Sequence, residues 1–394
     1  MVEALIGVAV GIVASIVILK SYSASEAFRR SLSGSADASQ TASIVGASLD
    51  MLIQQAGASL VQGRNVWGCR ISATKSGTAL LPREAAFDAP FASVPQNIRV
   101  LPVGILSGGS SGSDVIVLMA GASASGNRGV PFDSTGTTLV MKNAIGVGLR
   151  NATESATDLF LAVPQDVSGD LGDCQIVQAA TSTSTGTLIN DPNYGLNVVP
   201  AEGAVTGAGA SYTTVTINST TYGALASTSS SPSAFHLGRE DQPILSLLGV
   251  NSNNELVDLD LLGRRATLSI GENVFMIKAL YGVDDGGGGG TANDNVIDSW
   301  ISPATTGWTL STLMGGAAAT AQKIDQIKAI RLGLVLRSSQ YVNSDAAQSS
   351  ITLFSDLGDT LKYTRTLSSS EKGYQYQVFD WVIPLRNMKL IPKS

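Results

Sequence analysis

The stretch MVEALIGVAVGIVASIVILK, residues 1–20, decides the reading of this chain. Between Ala4 and Leu19 it holds sixteen residues without a charge, which as an α-helix would span about 24 Å at ~1.5 Å per residue. That is slightly short of the ~30 Å hydrocarbon core of a bilayer. One acid, Glu3, interrupts the apolar run near its start. A carboxylate there is costly to bury unless it sits at the interface or meets a cation.

Three readings of this stretch stay open: a secretory signal peptide, an ordinary signal anchor, and the first helix of a filament subunit. A signal peptide begins with a basic region and ends at a small-residue cleavage site, whereas here the first charge is acidic and residues 20–30 continue in helix-compatible sequence. A plain anchor has no use for Glu3. The third reading rests on a resemblance, because MVEALIGVA at residues 1–9 resembles the mature start of a type IV pilin. In that family a prepilin peptidase cuts just before the hydrophobic segment, and a glutamate shortly after the cut pairs with the free N-terminal amine of a neighbouring subunit. Glu3 matches that glutamate in context but stands two residues closer to the start, so Met1 is expected not to be the processed N-terminus. The resemblance still places Met1 and Glu3 at the contact through which subunits assemble.

Later segments resemble the PilW-type subgroup of that family. They are Gly68-Cys69 just after the long helix, the hydrophobic run Gly271 to Tyr281 leading into Gly282-Val283-Asp284-Asp285-Gly286, KAIRLGLVLR at 328–337 and WVIPLRN at 381–387. Residues 180–260 match nothing in the family. The resemblance implies an α+β, type IV pilin-like fold, with a long N-terminal α-helix packed on a β-rich C-terminal head. Residues 1–62 would form the helix of the membrane and filament core, and residues 63–394 the head. The function it implies is that of a structural subunit of a type IV pilus-like filament serving adhesion or motility. Its partners would be other copies of itself or other pilins, met through the N-terminal helix. It would lie in the bacterial inner membrane before assembly and in the extracellular filament afterwards. A minor pilin that primes assembly at the tip, and a membrane-anchored adhesin or sugar-binding module, are the alternatives.

Composition narrows the other classes. Charged residues make up only 14% of the chain, so its surface is built mainly from Gly, Ser, Thr and Ala. The balance of 25 Lys and Arg against 31 Asp and Glu, with no basic cluster, argues against nucleic acid as a partner, since phosphate neutralisation needs concentrated positive charge. With two cysteines, Cys69 and Cys174, and one histidine, His236, a zinc site or a catalytic centre of usual composition is hard to assemble. No cofactor is expected.

Beyond Lys20 the helical pattern continues through Phe28, Leu32, Ala38, Ala42, Val45, Leu49, Leu52 and Ala56, mostly at three- and four-residue steps. Gly57 or Gly63 is the expected stop, which gives a helix from Val2 to about Leu60, roughly 90 Å long. From Ile98 onward, short apolar runs alternate with Gly/Ser/Asn/Pro clusters, a β pattern. Expected strands are 98–103, 114–120, 137–141, 158–163, 175–179, 212–217, 273–281, 330–337, 351–354 and 374–383. The low-complexity stretches 106–113, 179–187, 203–211, 227–233 and 286–290 read as loops. Asn151-Ala152-Thr153 and Asn218-Ser219-Thr220 match the N-glycosylation pattern, which carries no weight in a bacterial protein.

Three further motifs bear on chemistry. Export would mature Cys69 and Cys174 in an oxidising compartment, which favours a disulfide over two buried thiols, and the Gly-Cys of PilW-like proteins agrees. Asp284, Asp285, Asn293, Asp294 and Asp298 surround the five-glycine run 286–290. Such oxygens can ligate calcium, but EF-hand spacing is absent and a solvated Asp/Gly loop is the expectation. Gly108-Gly109-Ser110-Ser111-Gly112 formally matches the Gly-x-Ser-x-Gly nucleophile elbow, with His236 in the formal triad order. The elbow must lie between a strand and a helix, and no amphipathic helix follows, so no catalysis is expected.

Overall fold

The computed structural model describes residues 2–60, 66–75, 78–110, 112–123, 129–135, 138–141, 158–163, 172–179, 197–198, 213–216, 233–339 and 348–390. Met1, both glycosylation patterns, Gly63 and most of the low-complexity stretches at 179–187, 203–211 and 227–233 lie outside these residues.

Helix α1 (Val2–Gln54) runs for 53 residues, about 80 Å. It stops short of Leu60 because the chain turns over residues 55–60, where Gly57 takes a left-handed φ of 79° that costs a glycine least. The Gly57 N–H donates to the Met119 carbonyl at 2.8 Å, and the Gly121 N–H returns a bond to Ala58 O. The end of the helix is thereby tied to the body.

The first ten strands are β1 (Arg70–Lys75), β2 (Thr78–Leu81), β3 (Val103–Leu106), β4 (Val115–Ala120), β5 (Val130–Thr135), β6 (Thr138–Met141), β7 (Asp158–Val163), β8 (Asp173–Ala179), β9 (Asn197–Val198) and β10 (Thr213–Thr216). They are followed by β11 (Ser233–Arg239), β12 (Ile244–Val250), β13 (Leu256–Asp260), β14 (Leu268–Gly271), β15 (Val274–Val283) and β16 (Ser299–Ile301). Two short helices, α2 (Leu310–Leu313) and α3 (Ala318–Gln326), precede β17 (Ile327–Arg337), β18 (Ser350–Leu353), β19 (Tyr363–Thr366) and β20 (Tyr376–Pro384).

These strands form a nine-stranded sheet in the order β10-β6-β5-β11-β7-β8-β1-β2, with β9 on β8, a five-stranded sheet β14-β13-β12-β4-β3, a four-stranded sheet β16-β15-β17-β20, and the hairpin β18-β19. The four-stranded sheet is antiparallel throughout, and its two central strands, β15 and β17, are buried on both faces. Ile330, Leu332, Leu334 and Leu336, two apart along β17, share one core with Val45, Leu49 and Ile53 of α1. The alternate Val335 joins Met276, Leu280, Ile351, Leu353 and Phe354 in a second core under the hairpin. Period-two alternation sends neighbouring residues to opposite faces, so one strand serves both cores.

Packing of α1 begins later than its apolar stripe suggests. Ala38, Ala42, Val45, Leu49, Ile53 and Ala56 are buried at steps of three and four, whereas Phe28 and Leu32 are 64% and 55% exposed. The stripe expected from Phe28 is therefore corrected: periodicity marks a face, and the body covers that face only from Gly34 and Ala38 onward. Ile53 is fully buried, while Leu52 is only partly so.

Among the strands, 98–103 departs most from expectation. Ile98 and Val100 are buried but bond irregularly to residues 68–71, and Pro102, which has no N–H to give a ladder, precedes the true strand β3. The strands β11, β12 and β13 fall largely within residues 180–260, where no resemblance exists, and β12 stands at the centre of its sheet.

Candidate assembly surface

The surface that sets this chain apart is the first half of α1. Val2–Glu26 is long and apolar enough to cross a membrane, and none of it is buried against the body. Leu5, Val8, Ile12, Ile16 and Leu19 are between 48% and 71% exposed. Glu3 lies in the first turn of this helix, where a carboxylate faces unpaired N–H groups and the positive end of the helix dipole. It is exposed, as are all its apolar neighbours.

The second half of α1 is held by three fitted contacts. At Gly46 an added Cβ would stand 3.7 Å from the Trp381 ring of β20, and at Gly271, which ends β14, it would stand 2.2 Å from Val45 Cγ2. The Asn387 side-chain amide donates to Gln54 O, Gln55 O and Ala56 O at 3.4, 3.1 and 3.3 Å. Gln54 ends α1, where carbonyls lose their intrahelical donors, and Gln55 and Ala56 begin the turn that follows, in which Gln55 O also accepts the Ala58 N–H. Asn387 sits in the WVIPLRN motif quoted above, but nothing in the motif announces that it caps a helix more than 300 residues earlier.

Cys69 and Cys174 are bonded, with Cα atoms 5.7 Å apart. Cys69 precedes β1, and Cys174 lies in β8, which pairs with β1 in parallel. Arg70 and Asp173, which stand opposite each other in that register, form a two-pronged ion pair at 2.7 and 2.6 Å. A covalent link and an ion pair therefore fix the same register.

The aspartates around the glycine run turn inward on their own loop. Asp284, fully buried, accepts from the N–H groups of Asp294 and Asn295 at 3.2 and 2.6 Å. Asp285 accepts from Gly287 N–H and Ser299 Oγ, Asp298 from Gly286 N–H, and Asp294 from Val296 N–H. Among the described residues no group of three His, Cys, Asp or Glu is placed to hold a metal.

A buried network that sequence reasoning missed joins the two sheets. Lys278 Nζ in β15 lies 2.8 Å from Asp114 Oδ1 just before β4, and it also donates to Gly109 O. The Asp114 carboxylate accepts from the N–H groups of Gly108 and Ala279. Burial raises the Asp114 pKa, and the neighbouring Lys278 opposes that shift. Beside the pair, the Tyr281 hydroxyl accepts the Ile105 N–H at 2.6 Å, and full burial pushes the phenol well above its ordinary range. The usable signal was Lys278 itself, a charge inside the apolar run VFMIKALYGV that had to find a buried partner.

His236 does not join Ser110. Its Nδ1 lies 2.7 Å from Ser123 Oγ and its Nε2 3.0 Å from Asp158 Oδ2, while its ring stacks on Phe160. Ser110 sits instead in a turn with Gly109, where its carbonyl accepts the Tyr363 hydroxyl.

With this geometry in view, comparison with known proteins adds one finding. Residues 262–387 match the family model described as Type IV Pilus-assembly protein W. No curated protein and no solved structure matches the chain. The matched residues take in β15, β16, β17, the hairpin, β20, the aspartate loop and Asn387. The match supports a type IV pilus-related family and, with the apolar N-terminal helix, is consistent with association with a membrane.

Proposed function

We propose that this chain is a structural subunit of a type IV pilus-like filament, in which the first half of α1 packs with the helices of neighbouring subunits and the β-rich body faces outward. The observation that carries the reading is the fully uncovered apolar helix Val2–Glu26, continuous with a second half that is locked to the body. Such a surface needs a bilayer or other helices around it, and a filament supplies both in turn. Glu3 then pairs with a cation from the adjoining subunit, because a carboxylate among apolar helices is costly without one. The reading rests also on the family match over residues 262–387. That the match carries the words pilus assembly favours a second reading, a minor pilin that primes the filament.

The test is to shear surface filaments from the native host and identify their proteins by mass spectrometry, for the wild type and for Glu3→Gln. The expected result is a wild-type chain present in filaments and a Glu3→Gln chain retained in the membrane fraction with its body folded. Abundance along the filament supports the structural subunit, and trace amounts with loss of filaments on deletion support the priming role. Wild-type protein absent from filaments whose assembly survives its deletion overturns both.

A further inference from the structure

We propose that the groove between α1 and β20 is the seat of a second copy's α1, with Arg29 of that copy paired to Asp50 of the first. The inference rests on the filament reading and deepens it by naming where one subunit meets the next.

The groove has a volume of about 320 Å³ and is lined by Ala42, Ser43, Gly46, Ala47 and Asp50 on the helix side and by Phe379 and Trp381 on the strand side. Its floor is made of small residues, which let another helix approach closely. Its far wall is aromatic. One acid, Asp50, stands at the end nearer the C-terminus of α1 and holds the Gln54 amide on one oxygen.

The occupant is argued from what the chain leaves uncovered. Past the membrane-length span, α1 still exposes Phe28 and Leu32, and Tyr22 near the end of the span is 69% exposed. Arg29 is exposed and has no partner among the described residues. Tyr22 and Arg29 are seven positions apart, as are Ser43 and Asp50, and that is the spacing of one helix face. In two parallel helices, a single offset of 21 positions sets Tyr22 against Ser43, Ser25 against Gly46 and Arg29 against Asp50. The phenol ring then lies along the small-residue floor toward Phe379 and Trp381, and the free guanidinium meets the acid. The offset corresponds to a shift of about 32 Å along the axis.

The test uses the full chain in its native host. Asp50→Arg and Arg29→Asp are each expected to lower recovery in sheared filaments by about tenfold, since each sets like charges against each other across the interface. The two together are expected to restore it. An intact Cys69–Cys174 bond and a protease-resistant body show that each variant is folded. As a second measurement, Tyr22→Cys with Ser43→Cys should give oxidised filaments that run as a ladder of this chain, while either cysteine alone gives monomer. Single variants recovered at wild-type level, a double reversal no better than the singles, or a cross-link to a different protein would each overturn the proposal. If wild-type protein is absent from filaments, the filament reading fails separately. The same cysteine pair, oxidised in membranes, then decides the groove by the presence or absence of a dimer.

Discussion

The side-chain amide of Asn387 lies 3.1 Å from the backbone oxygen of Gln55, so the last described turn of the chain closes the end of its first helix. Two N–H groups serve three carbonyls there. Replacing Asn387 with Leu is expected to lower stability by about 1 kcal/mol, the net worth of a hydrogen bond of this kind. Amide exchange over residues 50–56 should accelerate more than exchange in β12. Equal acceleration in both would show that the cap is not local.

The two glycines at the helix–body joint should behave oppositely. Gly271→Ala drives a Cβ to 2.2 Å from Val45 Cγ2, and overpacking of a formed core costs about 1–3 kcal/mol. Gly46→Ala brings its Cβ only to van der Waals range of Trp381 and replaces a mid-helix glycine, a change worth up to about 1 kcal/mol in favour of the helix. Denaturant melts of both variants check the contrast, and a stabilised Gly271→Ala would refute it.

Lys278→Met leaves the Asp114 carboxylate buried without its cation, and breaking a buried pair in this way costs about 3–5 kcal/mol. The loss should depend on pH, with a definite sign. Burial raises the Asp114 pKa above its unfolded value, so the stability that goes with the protonated acid is present at low pH and is lost as pH rises through the folded pKa. With Lys278 gone, only the N–H groups of Gly108 and Ala279 still oppose that rise. The gap between variant and wild type should therefore narrow on acidification and widen towards neutrality, as read by urea melts across the acid range.

Reduction of the Cys69–Cys174 bond should loosen the β1–β8 pairing before the four-stranded sheet. A closed loop of 105 residues corresponds to as much as ~4–5 kcal/mol in the chain-entropy view, often less in practice. Arg70 and Asp173 would still hold the register electrostatically, so Cys69→Ser with Arg70→Ala should cost more than either change alone. Non-reducing peptide mapping of fresh protein should recover the two cysteines as one linked pair, and two alkylatable thiols would contradict the bond.

What the sequence disclosed and what it withheld divide along a physical line. The apolar run to Leu19, a stop near Gly57, one of the two glycines expected to end the helix, and the strand at 158–163 were legible, because hydropathy, left-handed glycine and a short apolar run are properties of neighbouring residues. The point where the body begins to cover α1 was not. Phe28 and Ala38 lie on one periodic stripe, and only the positions of β14 and β20 decide which of them is covered. Strand β12, ILSLLGV, has no alternation to read, since both its faces are buried. Asp114 and Lys278 sit 164 positions apart, and no local pattern links them. Around the glycine run the sequence showed carboxylates without showing what their oxygens bind, and in the fold the loop's own N–H groups take them.

The cover of α1 comes from late in the chain. Its buried face from Val45 to Ile53 meets β14, β17 and β20, and its last carbonyls wait for Asn387. During synthesis, that apolar face leaves the ribosome hundreds of residues ahead of the strands that will shield it. Contacts so distant in sequence form slowly, and meanwhile an exposed stripe invites wrong partners. On the proposed filament reading, the uncovered first half of α1 enters the bilayer as it is made and would hold the unfinished body at the membrane while the remainder arrives. A chain that ended before Trp381 would keep its helix and lose the lid over it, so C-terminal truncation should be read out as proteolysis within residues 34–56 rather than as a shortened but intact body.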